Sequence, residues 1–128
     1  MSTPSPWSRR ARSIACAAFA AATSLPAFGH HGWAWAEDAN SEIAGTIVST
    51  KLGNPHGEVT VDVGGVPWIV EVGQPWRNQR AGLGDGLLGK GVKLKAVGHR
   101  HADRGQHVFK AERIVIDGKT YDLYPDRD

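Results

Sequence analysis

The chain has 128 residues, with 15 Lys and Arg against 13 Asp and Glu, six His, one Cys and one Met. That length holds one domain, and 22% charged with 41% apolar residues describes a folded chain rather than a disordered one. A single Cys excludes a disulfide scaffold and a Cys-based zinc site, while the formal charge of +2 has meaning only once the charges are placed.

Residues 1–29 read as a signal peptide. Arg9, Arg10 and Arg12 form a positive n-region, and Ile14 to Ala22 form a nine-residue apolar run. Ala27-Phe28-Gly29 then places small residues at a cleavage site. The apolar run is about half the roughly 20 residues that span a bilayer, so a stable membrane anchor is not expected. Ser8-Arg9-Arg10 resembles a twin-arginine signal, but Arg12 stands where an apolar residue is usual, which favours general secretion. The expected location is therefore the periplasm or the exterior. Cleavage removes three Arg, the Cys and the Met, and leaves 12 basic residues against 13 acidic ones in 99 residues, with all six His. The net charge becomes −1. A chain without sulfur suits an oxidising compartment.

An N-terminal segment, 30–41, precedes an expected barrel domain, 42–128. Glu42 to Leu52 is rich in β-formers and ends at the turn cluster Gly53-Asn54-Pro55-His56-Gly57. Glu58 to Val63 alternates as a half-buried strand, Gly64-Gly65 makes a hairpin turn, and Val66 to Val72 returns. Gln74-Pro75 starts one short helix and Gly82 ends it; helical spacing turns Trp76 and Leu83 toward the core. Gly84 to Gly91 reads as a loop, and Val92 to Val97 alternates as a strand. His107 to Ile116 and Lys119 to Leu123 form a last hairpin across Asp117-Gly118. The order is that of a mostly β, five- to six-stranded OB-like barrel with a short helix between strands three and four. A small open sandwich is the alternative, because periodicity gives elements and not pairing.

His30-His31-Gly32-Trp33, Gly45-Thr46-Ile47, Asn54-Pro55-His56-Gly57, Trp68-Ile69-Val70-Glu71 and Gly91-Val92-x-Leu94 occur in one order, with Pro75…Arg80-x-Gly82-Leu83 and a final hairpin. This ordered set resembles the small bacterial secreted proteins grouped as domain of unknown function 6152, over essentially the whole mature chain. The resemblance implies export and fold. It lends no catalytic residue.

The histidines are the concentrated chemistry. His99 and His101 stand at i and i+2, on one face of an extended strand. The loop Ala102 to Gln106 then returns the chain to His107, which places His101 and His107 about 5 Å apart at Cβ if they pair across a hairpin. His56 lies in the loop between strands one and two, and in OB folds that loop and the loop joining strands four and five flank the ligand face. His30 and His31 begin the mature chain, where a free α-amine adds a donor. Imidazole and amine ligands suit Cu(II) first and Zn(II) second. The candidate metal ligands are thus His30, His31, His56, His99, His101 and His107. The plain reading of the same pattern is a solvated outer face, with Lys93, Lys95, Val97, His99 and His101 opposite Val92, Leu94 and Ala96, unless a bulge near Gly98 shifts the parity. No carboxylate falls at the tight spacing of a dedicated metal motif.

Trp33 and Trp35 share a face if their segment is extended, as ligand or partner contacts or as packing against the barrel. Trp68 and Trp76 read as core. Catalysis finds little support: the mature chain has no Cys, and Ser41 and Ser49 lie in no nucleophile context, so a hydrolase would need one of them within hydrogen-bond reach of a His and a carboxylate. A net charge of −1 argues against a nucleic-acid partner. The expectation is an exported binding or accessory module, not an enzyme, that holds copper or zinc. The alternative is a metal-free module that engages another exported protein through the same loops and Trp33 and Trp35.

Overall fold

The computed structural model describes residues 33–127, so the leader, His30 and His31 lie outside the described residues. Strands β1 (Ser41–Lys51), β2 (Glu58–Val63) and β3 (Val66–Glu71) form a meander, the second turn being the Gly64-Gly65 pair at positive φ. Helix α1 (Pro75–Arg80) and a 3-10 turn at Asp85–Leu88 follow. Strand β4 (Lys93–Arg100) then pairs antiparallel with the first half of β1, and β5 (Val108–Ile116) with β4. Parallel pairing of β3 with β5, Ile69 opposite Val108 and Glu71 opposite Lys110, closes five strands into a barrel. A sixth strand, β6 (Lys119–Asp122), extends β5 by a hairpin at Asp117-Gly118. This is the expected OB order, with the helix between strands three and four. No helix among the described residues is long and apolar enough to cross a membrane.

Alternation explains the core. Val59 and Val61 of β2, Trp68 and Val70 of β3, Leu94 and Ala96 of β4, and Phe109, Ala111, Ile114 and Ile116 of β5 all face inward and are buried. The change of parity between Ala111 and Ile114 has a visible cause. Val97 pairs with Arg113 while Gly98 pairs with Ala111, so Glu112 is an extra residue in β5, a bulge that turns the strand's second half. Gly98 has to be glycine, because a Cβ there would overlap the Lys110 carbonyl oxygen. Gly45, where β1 bends between its two partners, is in the same position against the Asp62 carbonyl.

Two expectations need correction here. Trp76 is 51% exposed. Helix α1 ends at Arg80 and Gly82 turns the chain at positive φ, so buried Leu83 lies beyond the helix and no longer shares its phase with Trp76. The buried helical residue is Asn78, whose amide accepts from the Gly73 N–H at 2.9 Å and donates to the Gly73 carbonyl at 3.0 Å. The second correction concerns residues 33–36, which form a turn closed by Ala36 N–H to the Trp33 carbonyl at 2.9 Å. Trp33 and Trp35 therefore do not alternate along an extended strand.

Candidate metal centre

The loop joining β1 and β2 is fastened at its far end. Gly57 donates to the Gly73 carbonyl at 3.1 Å and accepts from Val72 at 2.9 Å, which fixes the chain between His56 and Glu58. Glu58 stands opposite Glu71 in the β2–β3 register, and opposite residues of an antiparallel pair point to one face. His56 Nε2 makes an ion-pair contact with Glu71 Oε1 and lies 3.6 Å from Glu58 Oε1. One ligand atom from each of the three residues lies within 4.8 Å of the others. The Glu71 side chain is only 10% exposed, and its Oε2 is buried without a hydrogen-bond partner among the described residues. Burial pushes the Glu71 carboxyl above its ordinary 4.5, against the pull of Lys110 and His56 and with a further push from Glu58. A buried carboxylate oxygen with no donor is costly, and a cation is one way to satisfy it.

One imidazole and two carboxylates form a ligand set that suits Zn(II) or Cu(II), and three protein ligands leave a tetrahedral ion one open position. Of these three only His56 is among the expected ligands; Glu58, two residues on, corrects the expectation that no carboxylate stands close enough in sequence to serve. Glu71 was not legible, because its place beside them depends on the register of a hairpin.

The structure does not bring the other predicted ligands together. The N–H of His101 donates to the Val108 carbonyl at 2.9 Å, so Val108 and not His107 is its cross-strand partner. His101 stacks on Trp35, with ring centroids 5.0 Å apart and planes 21° apart, and its Nδ1 accepts from the Asp103 N–H at 2.9 Å. His107 packs instead against Trp68, centroid to centroid 5.0 Å, beside the Arg100 guanidinium on the same indole. His99 keeps the outer-face parity expected of β4 yet is 3% exposed, so the face is not a solvated one at this point. Its Nε2 lies 2.6 Å from Oε1 of Glu112, itself fully buried, while its Nδ1 has no partner among the described residues. Three of the proposed ligands are thus engaged in three separate places.

What covers His99 is the segment before β1. Trp33 sets its edge against the His99 ring at 5.4 Å and the Tyr124 ring at 5.0 Å. The Arg127 guanidinium lies 4.0 Å and the Lys110 ammonium 5.3 Å from the Trp33 ring centroid. Backbone bonds from Glu37 to Arg100 and from Ala102 to Trp35, both 2.8 Å, hold the segment to β4. Beneath it runs a buried polar row across the sheet, Glu71, Lys110 and His99, with Glu112 below. Burial holds Lys110 below its ordinary 10.5, with Arg77 and Arg127 adding to the effect and Glu71 opposing it. Burial likewise raises the Tyr124 phenol above 10.0. Trp33 is the closure of this row.

No family model and no curated protein matches the chain. Among solved structures it is similar to the tRNA agmatidine synthetase TiaS in complex with its isoleucine tRNA and ATP, at 16% identity and a TM-score of 0.46, over 60% of this chain and 18% of that one. A ZRD-deleted mutant of TiaS in complex with agmatine gives 14% identity and a TM-score of 0.47, over 66% and 26%. The chain spans about a quarter or less of those proteins, and likenesses this distant carry no weight for what it does.

Proposed function

We propose that the mature chain is an exported binding module that holds a divalent cation, Zn(II) or Cu(II), at His56, Glu58 and Glu71. The observation that carries this reading is the nearly buried Glu71 carboxylate, with one oxygen against His56 and the other without a donor among the described residues. Export rests on the leader at 1–29, and membership of domain of unknown function 6152 on the ordered motifs. A binding role in place of catalysis, and a partner other than nucleic acid, rest on the absence of a nucleophile context and on the near-neutral mature charge. The metal-free alternative, in which Trp33 and Trp35 grip another exported protein, has less support, because Trp33 is enclosed by His99, Lys110, Tyr124 and Arg127.

The test is calorimetric titration of tag-free mature protein, its α-amine acetylated, with Zn(II) and with Cu(II). The expected dissociation constant is below about 10 μM, about −7 kcal/mol or better. Glu71→Gln and His56→Ala each weaken it at least about 10-fold, the scale on which metal sites respond even to loss of supporting contacts. Paired substitution of His101 and His107 by Ala leaves it unchanged. Affinity that survives Glu71→Gln, or that disappears with His101 and His107, refutes the assignment.

A further inference from the structure

Glu58 and Glu71 do more than meet His56. They also form one end of a shallow groove of about 290 Å³ on the outer face of β3 and β5. Its floor is the register pair Ile69 and Val108, with Ile69 40% exposed. Its far wall is Trp35, stacked on His101, with Gln106 beside them. The Asp103 N–H on His101 Nδ1 leaves Nε2 as the hydrogen-bearing nitrogen of the neutral ring. None of the side chains lining this groove is a Lys or Arg.

Resting on the metal reading above, we infer that this groove binds a small organic anion with a flat apolar body, which coordinates the cation through its acidic group and lies along Ile69 and Val108 against Trp35. Three physical arguments select that chemistry. The two carboxylates would repel an anion, so an anion enters only when a divalent ion offsets them, and three protein ligands leave that ion an open position. The floor and the indole face favour a planar apolar body, and the Gln106 amide with the His101 N–H offers hydrogen-bond donors at the opposite end. The volume lies just under the roughly 300–1,000 Å³ usual for small-molecule sites, which limits the body to about one ring.

The probe is benzohydroxamate, one ring carrying a chelating acid, with acetohydroxamate as its ring-free counterpart. Both are titrated into the mature protein with and without Zn(II). Benzohydroxamate is expected to bind the zinc form at least about 10-fold more tightly than the zinc-free form and more tightly than acetohydroxamate. Trp35→Ala weakens benzohydroxamate about 10-fold and leaves acetohydroxamate and Zn(II) affinities within about twofold, a loss of about 1.4 kcal/mol for the ring alone. Ile69→Ala, at an exposed position, serves as a second variant with the same expected pattern should Trp35→Ala unfold. Zinc binding with benzohydroxamate affinity indifferent to both substitutions, or equal with and without zinc, overturns the groove assignment alone. Absence of zinc binding overturns the metal reading and this one together.

Discussion

Replacing His99 by Ala removes one half of a buried pair and leaves the other half in place. Glu112 is fully buried, and His99 Nε2 at 2.6 Å is its shortest contact. Without the imidazole the carboxylate keeps Arg127 Nε at 3.3 Å and Arg113 Nη1 at 3.8 Å, both on side chains that reach solvent. Breaking a buried pair costs about 3–5 kcal/mol, and the surviving arginines put His99→Ala at the lower end, about 3 kcal/mol. For a domain of this size each kcal/mol moves the thermal midpoint by roughly 4–8 °C, so a fall of roughly 12–24 °C is expected. Urea denaturation followed by circular dichroism gives the free energy directly. A double variant with Glu112→Leu completes a cycle, and removal of both partners should cost less than the sum of the single losses by about 1 kcal/mol or more. Zn(II) affinity of the folded variant should not change. A loss below about 1 kcal/mol, or strictly additive single losses, would refute the claim that the pair is a buried structural unit.

Other contacts carry outcomes of their own. Trp33→Ala opens the cage over His99 and Lys110 and should cost about 2–3 kcal/mol, somewhat under the roughly 3–5 of a fully buried aromatic, as measured by thermal melting. Gly98→Ala forces β4 away from the Lys110 carbonyl and should destabilise by about 3 kcal/mol or prevent folding, whereas Gly84→Ala, with open space around its Cβ, should cost less than about 1. Because Lys110 is held below its ordinary 10.5, the unfolded chain binds more protons than the folded one over the interval below that value, and stability gains from this group as pH rises through it. Lys110→Met should abolish that gain, so that the urea midpoint of the unsubstituted protein rises relative to that of the variant as pH is raised toward 10.5. Arg77→Ala removes the guanidinium that lies 4.3 Å from the Tyr124 ring centroid and donates to the Leu123 carbonyl at 3.2 Å, and should lower stability by about 1–2 kcal/mol without altering metal affinity.

The elements of the barrel were legible in the sequence because the devices that make them are local. The valine alternation in β2, the Gly64-Gly65 turn, Pro75 at the helix start and Asp117-Gly118 each act within a few residues, and their order fits the OB arrangement; the parallel β3–β5 pairing that closes the barrel and excludes an open sandwich is not local. The site was less legible because its chemistry depends on what crosses between strands. Glu71 joins His56 through a hairpin register, and His101 meets Val108 because pairing, not spacing, fixes the neighbours. His99 shows a different obstacle. Its parity pointed outward correctly, but an indole from sixty-six positions earlier in the chain lies over it. Trp76 shows how little a spacing rule means in a helix of six residues, which ends before the pattern can repeat.

The Trp33 cage also joins the two ends of the described residues. Trp33 is its first described residue and Arg127 its last, and their side chains are in contact. A ring-closed version of 33–127, linked across that contact by a few glycines and cut open at Gly64-Gly65, would retain every strand pairing except the turn between β2 and β3. The order in which the strands are synthesised is then separable from the barrel they form.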